Sequence, residues 1–110
     1  MIINQKDVVL LNLPYSDYVR KKVRPAVIIS NEEINGSEDC IILPITSVIK
    51  EDSYSIIIDQ KDLSKGNLLK KSRIRIDKIM TIEKSQVIKK IGELDDKTFD
   101  EISKKLFNIL

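Results

Sequence analysis

Between residues 8 and 91 the apolar positions fall in short runs rich in isoleucine and valine, at 8–13, 26–29, 41–45, 55–58, 74–79 and 86–91. Their length and β-branched content predict strands, because such runs fit a pleated sheet and are too short for an ordinary helix. Turn chemistry separates them at Pro14, at Asn35-Gly36 and at Gly66-Asn67. The pattern changes only near the end. Phe99, Ile102, Leu106 and Ile109 follow a helical spacing, and Asp95 is placed as an N-cap with Leu94 and Phe99 as a hydrophobic staple. Strands followed by one packed helix predict a mainly β (α+β) fold, a small β-barrel closed or buttressed by that helix.

Several of the runs are apolar at successive positions, as in Val8-Val9-Leu10-Leu11, Ile41-Ile42-Leu43 and Ile56-Ile57-Ile58. A strand with one wet face alternates instead. One helix covers little of a barrel's outer surface, so the pattern raises the expectation that a second subunit covers the remainder. No internal repeat, low-complexity tract or linker divides the chain, and 110 residues suit a single domain spanning 1–110.

Composition narrows the chemistry. There is no histidine and one cysteine, which removes imidazole acid–base catalysis, Ser-His triads, internal disulfides and nearly every zinc site. Cys40 opens an apolar run and reads as a buried strand thiol. No cofactor and no metal site is expected. Met1-Ile2-Ile3 runs into Asn4, Gln5, Lys6 and Asp7 without a basic start or a long apolar segment, so a cytoplasmic protein with no membrane span is expected. The net charge is only +2, but it is unevenly spread. Arg20, Lys21, Lys22 and Arg24 form one basic cluster, and Lys70, Lys71, Arg73, Arg75 and Lys78 another, while acids concentrate in residues 93–101. A local basic face on a near-neutral protein suits a polyanion site.

Four stretches carry candidate chemistry. In "KKVRPAVIIS", Arg24 and Pro25 stand directly before an apolar strand, which places Arg24 at the strand's mouth. In "LLKKSRIRIDKIMTIEK", a single strand would project Lys71, Arg73, Arg75 and Asp77 to one face and Ile74 and Ile76 to the other. That row could bind phosphates or could be a solvated face kept charged against edge aggregation. In "ILPITS", Thr46 and Ser47 follow a buried run, where hydroxyls commonly bond nearby backbone. The loop "LPYSDYVRKK" sets Tyr15 and Tyr18 among cations; such aromatics stack bases, although an ordinary loop has the same composition.

Taken in order, "KDVVLLNLP", "KVRPAVIIS", "PITS", "SRIRIDKIMTIEK" and "KKIGELDDKTFDEI" resemble the MazF/PemK family of toxin endoribonucleases, from about Lys6 to the C-terminus. The resemblance implies an SH3-like β-barrel with a C-terminal helix, a homodimer, and metal-independent, sequence-specific cleavage of single-stranded RNA (mRNA) through the 2′-OH. It also implies a cognate antitoxin whose disordered tail occupies the dimer surface. By motif, Arg24 and Thr46 fall on the family's active-site Arg and Thr, and Arg75 and Asp77 on an Arg-x-Asp pair implicated in some members. Together with Tyr15, Tyr18, Arg20, Lys21, Lys22, Ser47, Lys71 and Arg73 as RNA contacts, these complete the expected site. The chain departs from many members before the Arg, where Ser16-Asp17-Tyr18-Val19-Arg20 replaces a Gly-Ser-Glu-Gln-like segment. Two other readings stay open: a relative that binds RNA or antitoxin without cutting, and a gyrase-type protein-binding toxin on the same barrel. The latter class ends in a Trp-containing sequence, whereas this chain has no Trp and ends Phe107-Asn108-Ile109-Leu110.

Overall fold

Each of the six apolar runs supplies a strand to one curled sheet. The computed structural model describes residues 1–14 and 21–110. In chain order these hold β1 (Asp7–Pro14), β2 (Lys21–Ile28), α1 (Glu32–Asn35), β3 (Asp39–Thr46), β4 (Ser55–Ile58), β5 (Leu63–Gly66), β6 (Ser72–Arg75), β7 (Met80–Glu83), β8 (Val87–Leu94) and α2 (Asp96–Ile109). The sheet runs β4-β6-β3-β2-β1-β8-β5, with β7 also paired to β3. Every ladder is antiparallel. This is the small barrel-like sheet with a C-terminal helix that the pattern predicts.

The successive apolar residues have a different explanation from the expected one. Side chains alternate across a strand, and both faces of β1, β2 and β3 are buried within this one chain. One face contributes Val8, Val27, Leu43 and Ile45 to a core completed by Ile56, Ile58, Ile74, Ile76, Leu94 and Ile102. The other contributes Val9, Leu11, Ala26, Ile28, Cys40 and Ile42 to a second cluster with Ile3 and Val87. Strong curling lets the sheet close on its own second face, so a partner subunit is not needed to explain the pattern. Of the 56–58 run only Ile57 is exposed, at 38%.

The helix α2 closes the first cluster. Asp95 accepts from the Thr98 amide at 2.8 Å and so satisfies one of the free N–H groups of the first turn. Ile102, with Phe99 and Leu106 beside it, packs on the core, while Ile109 stays largely exposed. Burying a side chain of the size of Ile102 contributes about 1.5–3 kcal/mol. Among the described residues no helix is long and apolar enough to cross a membrane.

The predicted strand 74–79 does not run through: β6 ends at Arg75 and β7 starts at Met80. β6 pairs with the end of β3 (Thr46↔Arg73), and β7 pairs with its start (Ile42↔Met80). A turn at Ile76 and Asp77 lies between them. Opposite this break stands Pro44, whose nitrogen has no hydrogen to offer a ladder. Lys71 precedes β6 and is not part of it.

Candidate functional site

Two prolines shape the site. The Ile29 amide donates to the Ile41 carbonyl at 2.9 Å. Backbone direction repeats every second residue of a strand, so the nitrogen of Pro25 also faces β3. It has no hydrogen to donate, and the β2–β3 ladder ends at Ala26↔Pro44. From Ile45 onward β3 pairs with β6 instead. The strands therefore part where Arg24 and Thr46 would be the next same-face pair across the ladder. Arg24 is not at a strand's mouth, as expected from the sequence, but in the middle of β2 opposite Leu11, and it is half-buried. What opens beside it is the gap on its β3 side.

The opening is a cleft of about 410 Å³. Six cations line it: Lys22, Arg24, Lys50, Arg73, Arg75 and Lys78. Thr46 and Pro44 form part of its wall, with Leu13 and Val48 as apolar lining. No carboxylate lines it among the described residues. A concave, low-dielectric wall carrying one sign of charge concentrates the opposite sign, so the cleft suits an anion.

The Thr46 hydroxyl can both accept and donate, and among the described residues only its accepting side is engaged. Its Oγ1 accepts from the Val48 amide at 3.2 Å, the local backbone bond that hydroxyls at such positions usually make. Its own O–H remains a donor. The mundane reading of Thr46 and the functional one are therefore compatible.

Arg75 and Asp77 form a two-pronged pair, Nη2 to Oδ2 at 2.7 Å and Nε to Oδ1 at 3.3 Å. Each side chain is about one-third exposed (34% and 32%). The contact with Arg75 holds the Asp77 carboxyl below the usual carboxylate range, and the same bond pushes the Arg75 guanidinium up. Asp77 is exposed at the turn after β6 and does not line the cleft itself.

Arg73 lies on the same face as Arg75 but is not part of an open cationic row. It is 5% exposed. Its Nε donates to the Val48 carbonyl at 3.0 Å, and its Nη1 donates to Asp52 Oδ2 at 3.3 Å and Ser55 Oγ at 3.1 Å. The segment after β3 folds across it, and Asp52 thereby joins Asp77 as an acid beside this strand. Ile74 and Ile76 point into the core as predicted.

The cleft thus brings together Lys22, Arg24, Thr46, Arg73 and Arg75 of the expected residues. Ser47 and Lys71 are exposed and do not line it. Tyr15, Tyr18 and Arg20 lie outside the described residues, as does the side chain of Lys21. Lys50, Lys78, Asp52 and Ser55 were not anticipated as members of the site. Lys78 belongs to a visible basic cluster and Ser55 opens the predicted strand 55–58, but Lys50 and Asp52 arrive by the path of a loop, which leaves no periodic signal. Cys40 is buried in β3, where burial pushes its thiol up. Among the described residues no group of three or more His, Cys, Asp or Glu side chains converges as metal ligands do.

Comparison with known proteins agrees with this architecture. Residues 4–110 match the family model described as PemK-like, MazF-like toxin of type II toxin–antitoxin system. No curated protein matches the chain by sequence. Among solved structures, a chain of a MazE–MazF crystal structure from Deinococcus radiodurans superimposes with a TM-score of 0.81 at 17% identity, covering 99% of this chain and 96% of that one. An endoribonuclease in complex with its cognate antitoxin from a mycobacterial species gives 0.79 at 19% identity, covering 96% and 92%. The Mycobacterium tuberculosis toxin MazF-mt6 gives 0.75 at 20% identity, covering 93% of each chain. At these identities the structural likeness establishes a shared fold.

Proposed function

The chain belongs to the PemK-like, MazF-like toxin family of type II toxin–antitoxin systems, and from that premise we propose that it is a metal-independent endoribonuclease acting in the cytoplasm on single-stranded RNA, with specificity for sequence. The observation that supports this most is the cationic cleft at the β2–β3 fork, with Arg24 and Thr46 on its two sides. RNA carries its own nucleophile in the 2′-OH. The protein has to hold the scissile phosphate in line and stabilise charge on its oxygens.

Arg24 does the second task. A guanidinium offers a planar fork of donors that fits two oxygens of one phosphate. Thr46 donates its free O–H to the same group and fixes its rotation. Arg75 takes a neighbouring phosphate, and Asp77, through its two bonds to Arg75, keeps that fork turned toward the strand. The 2′-OH gives up its proton as its oxygen forms the new bond to phosphorus, the bond to the 5′-oxygen breaks, and one proton is returned to the 5′-oxygen, so that no net proton is gained or lost. Lys22, Lys50 and Lys78 extend the cationic wall along the chain, and Ser47 and Lys71 lie where the RNA passes outside the cleft.

The partner is a cognate antitoxin, the relation borne by the MazE–MazF and toxin–antitoxin complexes of the same fold. The protomer is a single domain that works as a homodimer, as family membership implies; the buried strand faces no longer argue for it. Incubation of the purified protein with a long mixed-sequence RNA, followed by mapping of the ends, tests the reading. Cuts recurring at one short sequence are expected. Intact RNA that nevertheless binds the protein would select the non-cutting alternative.

A further inference from the structure

We propose that Arg73 is a positioning residue: a buried pin that holds the segment joining β3 to β4, residues 47–54, as a wall of the cleft, and so sets where Thr46 and Lys50 meet a phosphate. This rests on the reading of the cleft as the RNA site. All three acceptors of Arg73, the Val48 carbonyl, Asp52 and Ser55, lie on that segment or at its immediate end. The ladder places Arg73 directly opposite Thr46, the residue from which the segment departs. One side chain therefore ties both ends of the excursion to β6.

Little else could hold this wall from the cleft side. Val48 and Ile49 are exposed at 59% and 41%, so the segment is not anchored by an apolar core. At the near end the only other tie among the described residues is the local bond from the Val48 amide to Thr46 Oγ1 at 3.2 Å, and at the far end Lys105 donates to the Ser53 carbonyl at 3.1 Å and the Ile76 amide to the Tyr54 carbonyl at 3.0 Å. Asp52 is itself fixed, accepting from the Tyr54 amide at 3.1 Å through its other oxygen. A charge buried to this degree needs its partners, and here each partner is also a point on the wall. A lysine could not replace it, because a point charge does not span a carbonyl, a carboxylate and a hydroxyl at fixed angles.

Asp52→Asn separates this role from direct phosphate binding, since it leaves Arg73 charged and removes its ion pair, the strongest of its ties to the segment. Hydrogen exchange of the wild type and the variant is compared with RNA cleavage and with the salt dependence of RNA binding. Faster exchange confined to amides 47–54 is expected, with kcat down about ten- to a hundredfold, the cost of misplacing a contact by about an ångström. KM should stay within about twofold, because binding contacts survive. Arg73→Lys should reproduce both changes. Tighter RNA binding with a steeper salt dependence in Asp52→Asn would make Arg73 a phosphate ligand and overturn the proposal. Unchanged exchange at 47–54 would overturn it as well. Ser55→Ala, which removes one acceptor and keeps the ion pair, gives the same readings if Asp52→Asn does not fold. Should the wild type fail to cut RNA, the functional reading falls on that result, while exchange at 47–54 still decides the pin.

Discussion

Arg24 offers the cleft a guanidinium charge and a planar fork that fits one phosphate. Both properties are lost in Arg24→Ala, and the second alone is lost in Arg24→Lys. Cleavage should fall by roughly a hundredfold or more in the alanine variant, as when one main charge-stabilising donor is removed. The lysine variant should recover only a small part of the rate. Circular dichroism should report an unchanged fold, because the Arg24 side chain faces the gap and is not packed in a core. A near wild-type rate for Arg24→Ala would remove the site from this cleft. The pH dependence follows from two other residues. With no histidine in the chain, no imidazole step near pH 6.5 is expected in the rate profile. Asp77 is held below its ordinary value of 3.8 by Arg75, so its pair with Arg75 is complete above that value and is lost as pH falls through the depressed one. A rate profile from pH 5 to 7 should therefore show no acid limb; one centred near 6 would point to a group this account omits.

At the scale of elements, the close pairing of β5 with β8 depends on a glycine. Gly66 has φ +81°, and a Cβ there would lie 2.1 Å from the Ile91 carbonyl oxygen. Neither the backbone conformation nor the space admits a side chain. Gly66→Ala should destabilise the protein by about 1–3 kcal/mol from backbone strain alone, more if β5 must move away. Thermal unfolding measures this, and a melting temperature within a degree of wild type would contradict the packing of β5. The elements also show what the sequence makes legible. Runs of Ile and Val announced six strands, and the spacing from Asp95 announced α2, because burial on sheet or helix faces dictates those periods. The split of 74–79 was not legible, since Ile74, Ile76, Ile79 and Ile82 keep strand-like content through a turn. Nor were α1 and β5, which are only four residues long, β5 being mostly exposed as well. In the site, Arg24 and Thr46 were singled out by motif, but only Thr46 ends a strand, and Arg24 lies in the middle of β2. Asp52 and Lys50 could not be read, because only the folded path of residues 47–54 brings Lys50 to the cleft and Asp52 to Arg73.

For the whole molecule, burial of both strand faces within one chain changes the standing of the dimer. It follows from family membership and not from the apolar runs, so it is a separate prediction. Light scattering after size exclusion should give twice the mass of 12.6 kDa at tens of micromolar, and a monomer would place the complete site within one protomer. RNA binding should weaken as salt rises, because phosphate contacts release counterions. The central claim is that this chain cuts RNA by using the RNA's own 2′-OH, with arginine and threonine and no metal. It is tested most directly by mass spectrometry of fragments made in excess chelator. The account predicts full activity there, with 2′,3′-cyclic phosphate on one side of each cut and a 5′-OH on the other. Fragments ending in 5′-phosphate and 3′-OH, or activity that vanishes with the chelator, would contradict it.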